Sequence, residues 1–314
     1  MDHSPLLPLA HVSWALADNA LRPACDAFFI DVFGAETAYE MLVTPEAEAM
    51  GLDREERLMV VGDTMLIPIA AAGRGAAPDS PIGGMLRRSA APDRWLGVSL
   101  RAANLKDAAA WYAARGFQLH FDPGMEDHYF LISRKQALGV RIEVMQGELP
   151  NDPRLKPGWR PQRWRDEHPL GIEGLQSIGV STASLDEARA VFGKRLGWPE
   201  IAAFARADAD CAAFLLGDTV IEALAARDDG SPLARHAREV QGICCLTFKV
   251  RSARAAADYL RGKGLALTGD PASRFAITGE QAQGRTIWFT EIEKEGYPAP
   301  GSLLCQPAVF AGTG

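Results

Sequence analysis

The feature that most constrains this chain is an internal repeat of more than 50 residues. GDTMLIPIAA (62–71) matches GDTVIEALAA (217–226). In both copies a Ser-Pro start and a strand-like run follow, and then an alanine-rich helix, LKDAAAWYAARGFQL (105–119) or ARAAADYLRGKGLAL (253–267). Because a repeated sequence folds into a repeated unit, we predict two similar halves.

Each half divides again into two units, which begin near residues 9, 95, 176 and 243. Each unit starts with a strand-like run and continues with a helix. Ser184 and Glu187 form a capping box at the start of the third helix, and Gly116 and Gly264 end the second and fourth helices. Three shorter alternating runs follow, which in the second unit are FQLHFD, DHYFLIS and VRIEVMQ. The predicted pattern is βαβββ, four times over, in an α+β protein.

A proline-rich segment separates the two halves. Prolines interrupt helices and central strands, so we expect a connector over residues 151–172. It would join an N-terminal domain (1–150) to a C-terminal domain (173–314). Indole rings gain nothing in water, and therefore Trp159 and Trp164 are expected to pack on a domain surface.

Composition and charge exclude several classes of protein. The chain has 314 residues, is 47% hydrophobic and carries a formal net charge of −7. A nucleic-acid-binding protein needs a basic face. No stretch approaches the roughly 20 apolar residues of a membrane span, and the N-terminus does not resemble a signal peptide. We expect a cytoplasmic protein whose partner is a small-molecule substrate and that binds neither nucleic acid nor membrane. Four units in one chain can pair internally, so a monomer or a homodimer is expected.

The cysteines fit a reducing compartment, because their number is odd and their spacing is no disulfide framework. They are Cys25, Cys211, Cys244, Cys245 and Cys305. Adjacent Cys244 and Cys245 should point to opposite faces of a strand and pack in the core.

A histidine in the first strand, LAHVSWALAD, is the most informative single residue. The matching strands are aligned on H-V-S (11–13), G-V-S (97–99), G-V-S (179–181) and C-L-T (245–247). His11 then corresponds to Gly97, Gly179 and Cys245, and a two-residue slip of the third strand replaces Gly179 by Ser177. No register supplies a second histidine. Trp14 should lie on the opposite, helix-facing side of the strand.

Four βαβββ units in two pairs resemble the vicinal oxygen chelate superfamily, the group of glyoxalase I, methylmalonyl-CoA epimerase, extradiol dioxygenases and bleomycin-resistance proteins. The resemblance covers nearly the whole chain. It is carried by the H-V-x-W strand, FFIDVFGA (28–35), GDTxxxxxA followed by S-P-[IL], and VRIEVMQ. It implies two glyoxalase-like domains, each a curled mixed sheet around a cleft. Any divalent metal would be held there by side chains from the first and last strands of paired units.

The resemblance also implies where a family glutamate would stand. Glu143 in VRIEVMQ and Glu222 in TVIEAL fit that position, Ile67 matches Glu222, and Cys305 in GSLLCQ takes the fourth place. Only the first domain therefore combines a histidine with a glutamate, and the second is expected to be mainly structural. A standard extradiol dioxygenase would need its iron ligands in the second domain, and the matching positions there hold no histidine.

Two protein ligands rarely hold a metal tightly. His11 and Glu143 could bind divalent Fe, Mn, Zn or Ni if a third ligand joined them. His128 in MEDHYFLIS is the best candidate for that ligand, and His120 is another. The alternatives are a metal-free catalytic or substrate-binding histidine, and a buried histidine with only a structural hydrogen bond.

These residues predict an enzyme, a lyase or isomerase, that acts on a small hydrophobic or aromatic carbonyl or hydroxyl compound through an enolate-like anion. His11 would be the general base, with Glu143 holding its tautomer or acting as the base itself. Tyr129 would donate to the oxyanion, and Trp95 or Met145 would line the cleft. The alternatives are a protein that sequesters a small molecule without catalysis, a divergent metal-dependent ring-cleaving dioxygenase, and an interaction protein that has lost both clefts.

Overall fold

The computed structural model describes residues 6–49, 51–77, 81–89 and 95–299, which form two eight-stranded sheets. The strands of the first sheet are β1 (Leu6–Ala15), β2 (Glu36–Met41), β3 (Arg54–Val61), β4 (Thr64–Ala71), β5 (Trp95–Ala102), β6 (Leu119–His120), β7 (Tyr129–Ile132) and β8 (Arg141–Met145). Those of the second sheet are β9 (Ile172–Thr182), β10 (Glu200–Ala205), β11 (Ala209–Leu216), β12 (Thr219–Ala226), β13 (Gly242–Val250), β14 (Thr268–Asp270), β15 (Arg274–Ile277) and β16 (Ile287–Thr290).

The helices alternate with the strands. They are α1 (Arg22–Phe33), α2 (Pro45–Ala49), α3 (Pro81–Ser89), α4 (Leu105–Ala114), α5 (Gln162–Asp166), α6 (Leu185–Ala188), α7 (Pro232–Glu239) and α8 (Ala253–Gly262). Gly116 and Gly264 follow α4 and α8 with φ of 78° and 81°, a left-handed conformation that ends helices as predicted.

The strand orders are β2-β3-β4-β1-β5-β8-β7-β6 and β10-β11-β12-β9-β13-β16-β15-β14. Within each unit the first and last strands pair in parallel, and the two first strands of each half pair antiparallel. The predicted α+β fold of four βαβββ units in two mixed sheets is therefore confirmed.

The helix of the third unit, α6, differs from its prediction. α6 has a single α-helical turn and passes into a π-helical segment over Arg189–Arg195, in which Leu196 N–H donates to Val191 O at 2.8 Å. Ser184 does cap this helix, but its hydroxyl accepts from Asp186 N–H rather than from Glu187.

Helices α1, α4, α6 and α8 pack on one side of the sheets, and the main hydrophobic core lies between them and the strands. Trp14 on β1 is fully buried there against Phe29 of α1 and Trp95 of β5, with ring centroids 5.2 and 5.4 Å apart. Trp14 therefore faces the helices as expected, and so does Trp95, which does not line a cleft. Phe33 also contacts Phe248 of β13 at 6.1 Å, so the two halves share one continuous core.

The observed pairing decides between the two registers left open for the third unit. His11 lies opposite Ser99, and Ser177 lies opposite Thr247 in the same way. Ser177 is thus the counterpart of His11, and the alignment of His11 with Gly179 is wrong.

The prediction for the fourth unit's last strand is also wrong. The apolar run of β16 pairs in parallel with β13 and fills that place, so Trp288, opposite Thr247, is the counterpart of Glu143. Cys305 lies outside the described residues.

The adjacent cysteines depart from strict alternation. A β-bulge between Ile243 and Cys245 brings the Cys244 and Cys245 sulfurs to 3.9 Å. Both therefore lie against Gly179, and the prediction of opposite faces is wrong because a bulge inserts an extra residue on one side. All four cysteines among the described residues are free.

The connector packs against the N-terminal sheet. Trp164 is buried and its Nε1 donates to Phe33 O at 3.1 Å, while the Trp159 ring packs against it at a tilt, with ring centroids 5.4 Å apart. Both indoles are therefore anchored as expected, and β9 begins at Ile172, the last residue of the predicted connector. No helix in the described segments is long and apolar enough to cross a membrane.

Candidate functional site

A cleft of about 910 Å³ opens on the side of the first sheet that faces away from α1 and α4. Both N-terminal units contribute to it. Its apolar lining includes Leu58, Ile67 and Ile69 from the first unit, Leu96 and Met145 from the second, and Met85 and Leu86 from α3. Met145 thus lines the cleft, as the sequence suggested.

Three polar side chains form a row across the cleft. His11 on β1 lies opposite Ser99 on β5, and Ser99 lies opposite Glu143 on β8. Paired residues share a face of the sheet, so all three point the same way, and His11 and Glu143 both line the cleft. Ordinary strand spacing separates the Cα atoms of His11 and Glu143 by roughly 10 Å. The structure therefore brings the two predicted residues into one cleft.

His11 is buried, with 8% of its surface exposed, and among the described residues its Nδ1 has no hydrogen-bond partner. Burial lowers the pKa of the imidazole to about 3, and the charges of Arg154, Arg101 and Arg141 add to the effect. The ring is therefore neutral at physiological pH and weakly basic. So low a pKa does not favour the general-base role predicted for His11.

Two of those arginines belong to a buried network that sequence reasoning missed. Arg154, in the connector, donates to Ala10 O at 2.7 Å and to both carboxylate oxygens of Asp152. Arg101 on β5 also donates to Asp152, at 2.8 Å. The sequence offered no signal for this network, because its acid and one arginine lie in a segment with the composition of a solvated linker.

The pKa of Glu143 is shifted in the opposite direction from that of His11. Burial raises the pKa of its carboxyl, although a hydrogen bond from Ser99 Oγ at 2.7 Å and the charges of Arg141 and Arg54 act against the increase. A carboxyl with a raised pKa is a stronger base when it is ionised. Glu143 is therefore better suited than His11 to take a proton.

Two further cleft residues, Glu56 on β3 and Arg141 on β8, were not predicted. Burial raises the pKa of Glu56, and the charge of Glu143 raises it further, so the two carboxyls interact across the cleft. Arg141 precedes Glu143 by two residues and thus shares its face. The period of a strand could have identified Arg141, and Glu56 equally by its spacing from Leu58.

Tyr129 and the two other candidate histidines lie toward the mouth of the cleft. The Tyr129 hydroxyl donates to Asp122 Oδ2 at 2.5 Å, so its proton is directed at a carboxylate and not into the cleft. His120 Nε2 lies 2.9 Å from Asp122 Oδ1, and His128 is exposed at the rim. These hydrogen bonds outweigh partial burial and lower the pKa of Asp122.

The fold was compared with solved structures. A variant of 4-hydroxymandelate synthase from Streptomyces coelicolor is 14% identical, with 93% of this chain and 94% of that chain covered and a TM-score of 0.68. The chain has the two-domain vicinal oxygen chelate fold.

Shorter structures match single halves. Methylmalonyl-CoA epimerase from Mycobacterium tuberculosis is 23% identical over 41% of this chain and 90% of that chain, with a TM-score of 0.35. A hypothetical protein from Bacillus halodurans is 18% identical over 38% of this chain and 95% of that chain, also with a TM-score of 0.35. No protein-family model matches the sequence, and no curated protein matches it.

The residues present do not fit the metal site that the vicinal oxygen chelate fold can carry. Beside His11 and Glu143, the two remaining ligand positions of the N-terminal half hold Ile67 and Gly97. A Cβ at Gly97 would lie 2.0 Å from Arg141 O, so no ligand side chain has room there. No group of three His, Cys, Asp or Glu residues within the described ranges could hold an ion, and the third ligand proposed from the sequence, His128, lies exposed at the rim.

In the C-terminal half, other side chains take the places that correspond to the polar row of the N-terminal cleft. The C-terminal row reads Ser177, Thr247 and Trp288. Glu222 is buried beside this row and accepts hydrogen bonds from Arg206, Lys294 and Tyr297, the last at 2.8 Å. Although burial opposes it, the charges of the two cations lower the pKa of Glu222 to about 2.

Apolar side chains pack on the same side of the second sheet. They are Ala209, Cys211, Leu224 and Cys245, with Phe204 and Trp288 against them. Glu222 therefore lies in a packed cluster of cations and apolar groups.

Proposed function

We propose that this protein is an enzyme that moves a proton at a carbon next to a carbonyl group, and that it does so in the N-terminal cleft. The observation that carries the proposal is the Glu143 carboxyl. It lies on the cleft floor, is held by one hydroxyl, and has a pKa raised by burial. A positioned carboxyl of this kind is a general base whose strength suits neutral pH.

The reaction begins when the Glu143 carboxylate takes the proton from the carbon. The electrons of the broken C–H bond form a C=C bond, and the carbonyl electrons move to the oxygen, which becomes an enolate. The protonated carboxyl then returns the proton to the same carbon or, after rearrangement, to another carbon. The outcome is exchange or isomerisation with no change in oxidation state.

His11 acts in this scheme as a hydrogen-bond donor and not as the base. Its low pKa keeps the ring neutral, and a neutral imidazole still carries one N–H. That N–H lies in the same row as Glu143 and donates a hydrogen bond to the developing oxyanion. Tyr129 has no such role in the proposal, because its hydroxyl is bound to Asp122.

The apolar lining supports a hydrophobic or aromatic substrate body. Leu58, Ile67, Ile69 and Leu96 form a continuous surface beside the polar row, and a cleft of about 910 Å³ has the size of a small-molecule site. The same surface also favours a second candidate, a protein that binds such a molecule without turnover. A ring-cleaving dioxygenase is less well supported, because the ligand positions at 67 and 97 provide no metal donor.

The test is incorporation of solvent deuterium into a panel of ketones that bear phenyl or branched alkyl groups, followed by NMR. The wild-type protein should exchange protons next to the carbonyl of at least one of them. Glu143→Gln should abolish this exchange, whereas Glu148→Gln should retain it. Glu148 is an exposed glutamate at the cleft rim and serves as the matched control. Tight binding of a ketone with no exchange, or exchange that survives Glu143→Gln, would contradict the proposal.

A further inference from the structure

We infer that Arg141 binds a carboxylate of the ligand, so that the cleft takes small carboxylic acids with a hydrophobic or aromatic body. The inference deepens the proposed function by naming a substrate class, and it rests on that function only for the reaction that follows binding.

Arg141 lies on the cleft floor with almost no protein partner. Its only hydrogen bond within the described ranges joins Nη1 to the Met85 sulfur at 3.0 Å, and no carboxylate there lies within 4.0 Å of the guanidinium. A thioether is a weak acceptor, and a guanidinium has five N–H donors in a planar fork. Most of those donors are therefore available to a group inside the cleft.

Several other arginines in the interior of the described segments are paired with carboxylates, whereas Arg285 donates to the Ala15 carbonyl oxygen. Arg101 and Arg154 share Asp152, and Arg206 meets Glu222. Burial of a guanidinium is costly unless it is paired and hydrogen-bonded. Arg141 departs from this pattern inside a cleft, where a ligand can supply the missing acid.

The acids that face Arg141 are already engaged. Glu143 and Asp122 both act on it electrostatically, but Glu143 accepts from Ser99, and Asp122 accepts from Tyr129 and pairs with His120. The positive charge of Arg54 also acts on Arg141.

The charge of Arg54 is only weakly offset by a neighbouring carboxylate. Its Nε lies 3.7 Å from Glu56 Oε2, which is a long contact, and this atom has no hydrogen-bond partner among the described groups. A planar guanidinium fork matches a carboxylate bidentately, so Arg141 can bind a ligand carboxylate through the donors that have no protein partner.

The location of Arg141 also suits the proposed reaction. It precedes Glu143 by two residues on the same face of β8, which corresponds to roughly 7 Å along a strand. A carboxylate held at Arg141 would place carbons a few bonds away next to the Glu143 carboxyl. The hydrophobic body would then lie on Ile67, Ile69 and Leu96.

The experiment compares two probes of nearly the same shape, 3-phenylpropanoate and 3-phenylpropanamide, by isothermal titration calorimetry. We expect the wild-type protein to bind the acid at least about tenfold more tightly than the amide, because hydrogen bonds to charged groups are the strong ones. Arg141→Gln should remove that preference. Lys135→Gln, which removes one charge from an exposed rim residue, should preserve it.

Arg141→Lys keeps the charge and loses the fork, so it should retain a reduced preference. The acid preference of Arg141→Lys also tests the inference if Arg141→Gln does not fold. The inference is overturned if the wild-type protein binds neither probe at millimolar concentration, if it binds both equally, or if the preference for the acid survives Arg141→Gln.

Failure of this inference can be distinguished from failure of the proposed function. A preference for the acid that depends on Arg141, together with no deuterium exchange on any ketone or on a keto acid such as 4-oxo-5-phenylpentanoate, would leave the binding site intact and refute the reaction. Exchange on neutral ketones with no preference for the acid would refute the binding site and leave the reaction intact.

Discussion

The two sheets repeat the same strand order, but their cleft-side glutamates lie in opposite surroundings. Glu143 in the N-terminal half has one hydroxyl partner, and burial raises its pKa. Glu222 in the C-terminal half is held by two cations and a phenol, which lower its pKa to about 2. A shared fold thus places a carboxyl in each half, and the neighbouring side chains decide whether it is a base or a structural anion.

The polar rows show the same contrast. The N-terminal row of His11, Ser99 and Glu143 becomes Ser177, Thr247 and Trp288 in the C-terminal half. An indole replaces the carboxyl and packs with Phe204 and Leu224. The two halves thus share the geometry of the sheet, while packed apolar side chains lie beside the row in the C-terminal half.

The largest expected effect is on activity. Glu143→Gln should lower the rate of deuterium exchange by about 100-fold or more, because general base catalysis contributes roughly 10²–10⁴-fold. Its folded pKa is raised, so the ionised carboxyl destabilises the native state as pH increases through that pKa. The variant should therefore be at least as stable as the wild type at pH 7 by urea unfolding. Clear destabilisation would show that the carboxyl is a structural group.

The same substitution in the other half should act on stability. Glu222→Gln leaves Arg206 and Lys294 buried with one carboxylate fewer, so we expect a loss of roughly 3–5 kcal/mol in the free energy of unfolding. Deuterium exchange in the N-terminal cleft should persist in the folded variant. Loss of exchange without loss of stability would reverse the roles assigned to the two halves.

The stabilisation from Glu222 should also depend on pH. Its folded pKa of about 2 lies below the unfolded value of 4.5, so its contribution is present above pH 4.5 and is lost as pH falls toward 2. The difference in unfolding free energy between wild type and Glu222→Gln should therefore shrink across that range. A constant difference would mean that the ion pairs are not its source.

The smallest activity effect is expected at His11. His11→Gln removes one N–H donor, for which we expect a loss of about tenfold in the exchange rate. Because burial and three arginines lower its pKa to about 3, the imidazole should show no titration between pH 5 and 8. Histidine NMR shifts followed over that range test this directly, with the His11 signals assigned from His11→Gln. A midpoint near 6.5 for His11 would restore it as the general base.

Much of this fold was readable from the sequence because its signals are local and repeated. The matching GDT runs and the glycines at 116 and 264 define the units without reference to tertiary contacts. The errors arose where one residue of register or one bulge decides the outcome. The slip at Ser177, the bulge at Cys244–Cys245 and the identity of β16 depend on pairing between strands far apart in sequence.

The site was predictable in part for the same reason. The first and last strands of paired units fix which residues face the cleft, and this identified His11 and Glu143. The pKa of each depends on charges from elsewhere in the chain, above all Arg154 in the connector. Spacing along the sequence carries no information about such contacts, and therefore the sequence left open whether His11 or Glu143 is the base.

The most direct test of the account is a carboxyl ¹³C NMR titration of the glutamates in the wild-type protein, with the signals assigned from Glu143→Gln and Glu222→Gln. The titration needs no substrate and reports on one glutamate from each half in the same sample. The account predicts that Glu143 titrates above its ordinary value of 4.5 and that Glu222 stays ionised down to a pH of about 2. Equal midpoints near 4.5, or the reverse order, would contradict it.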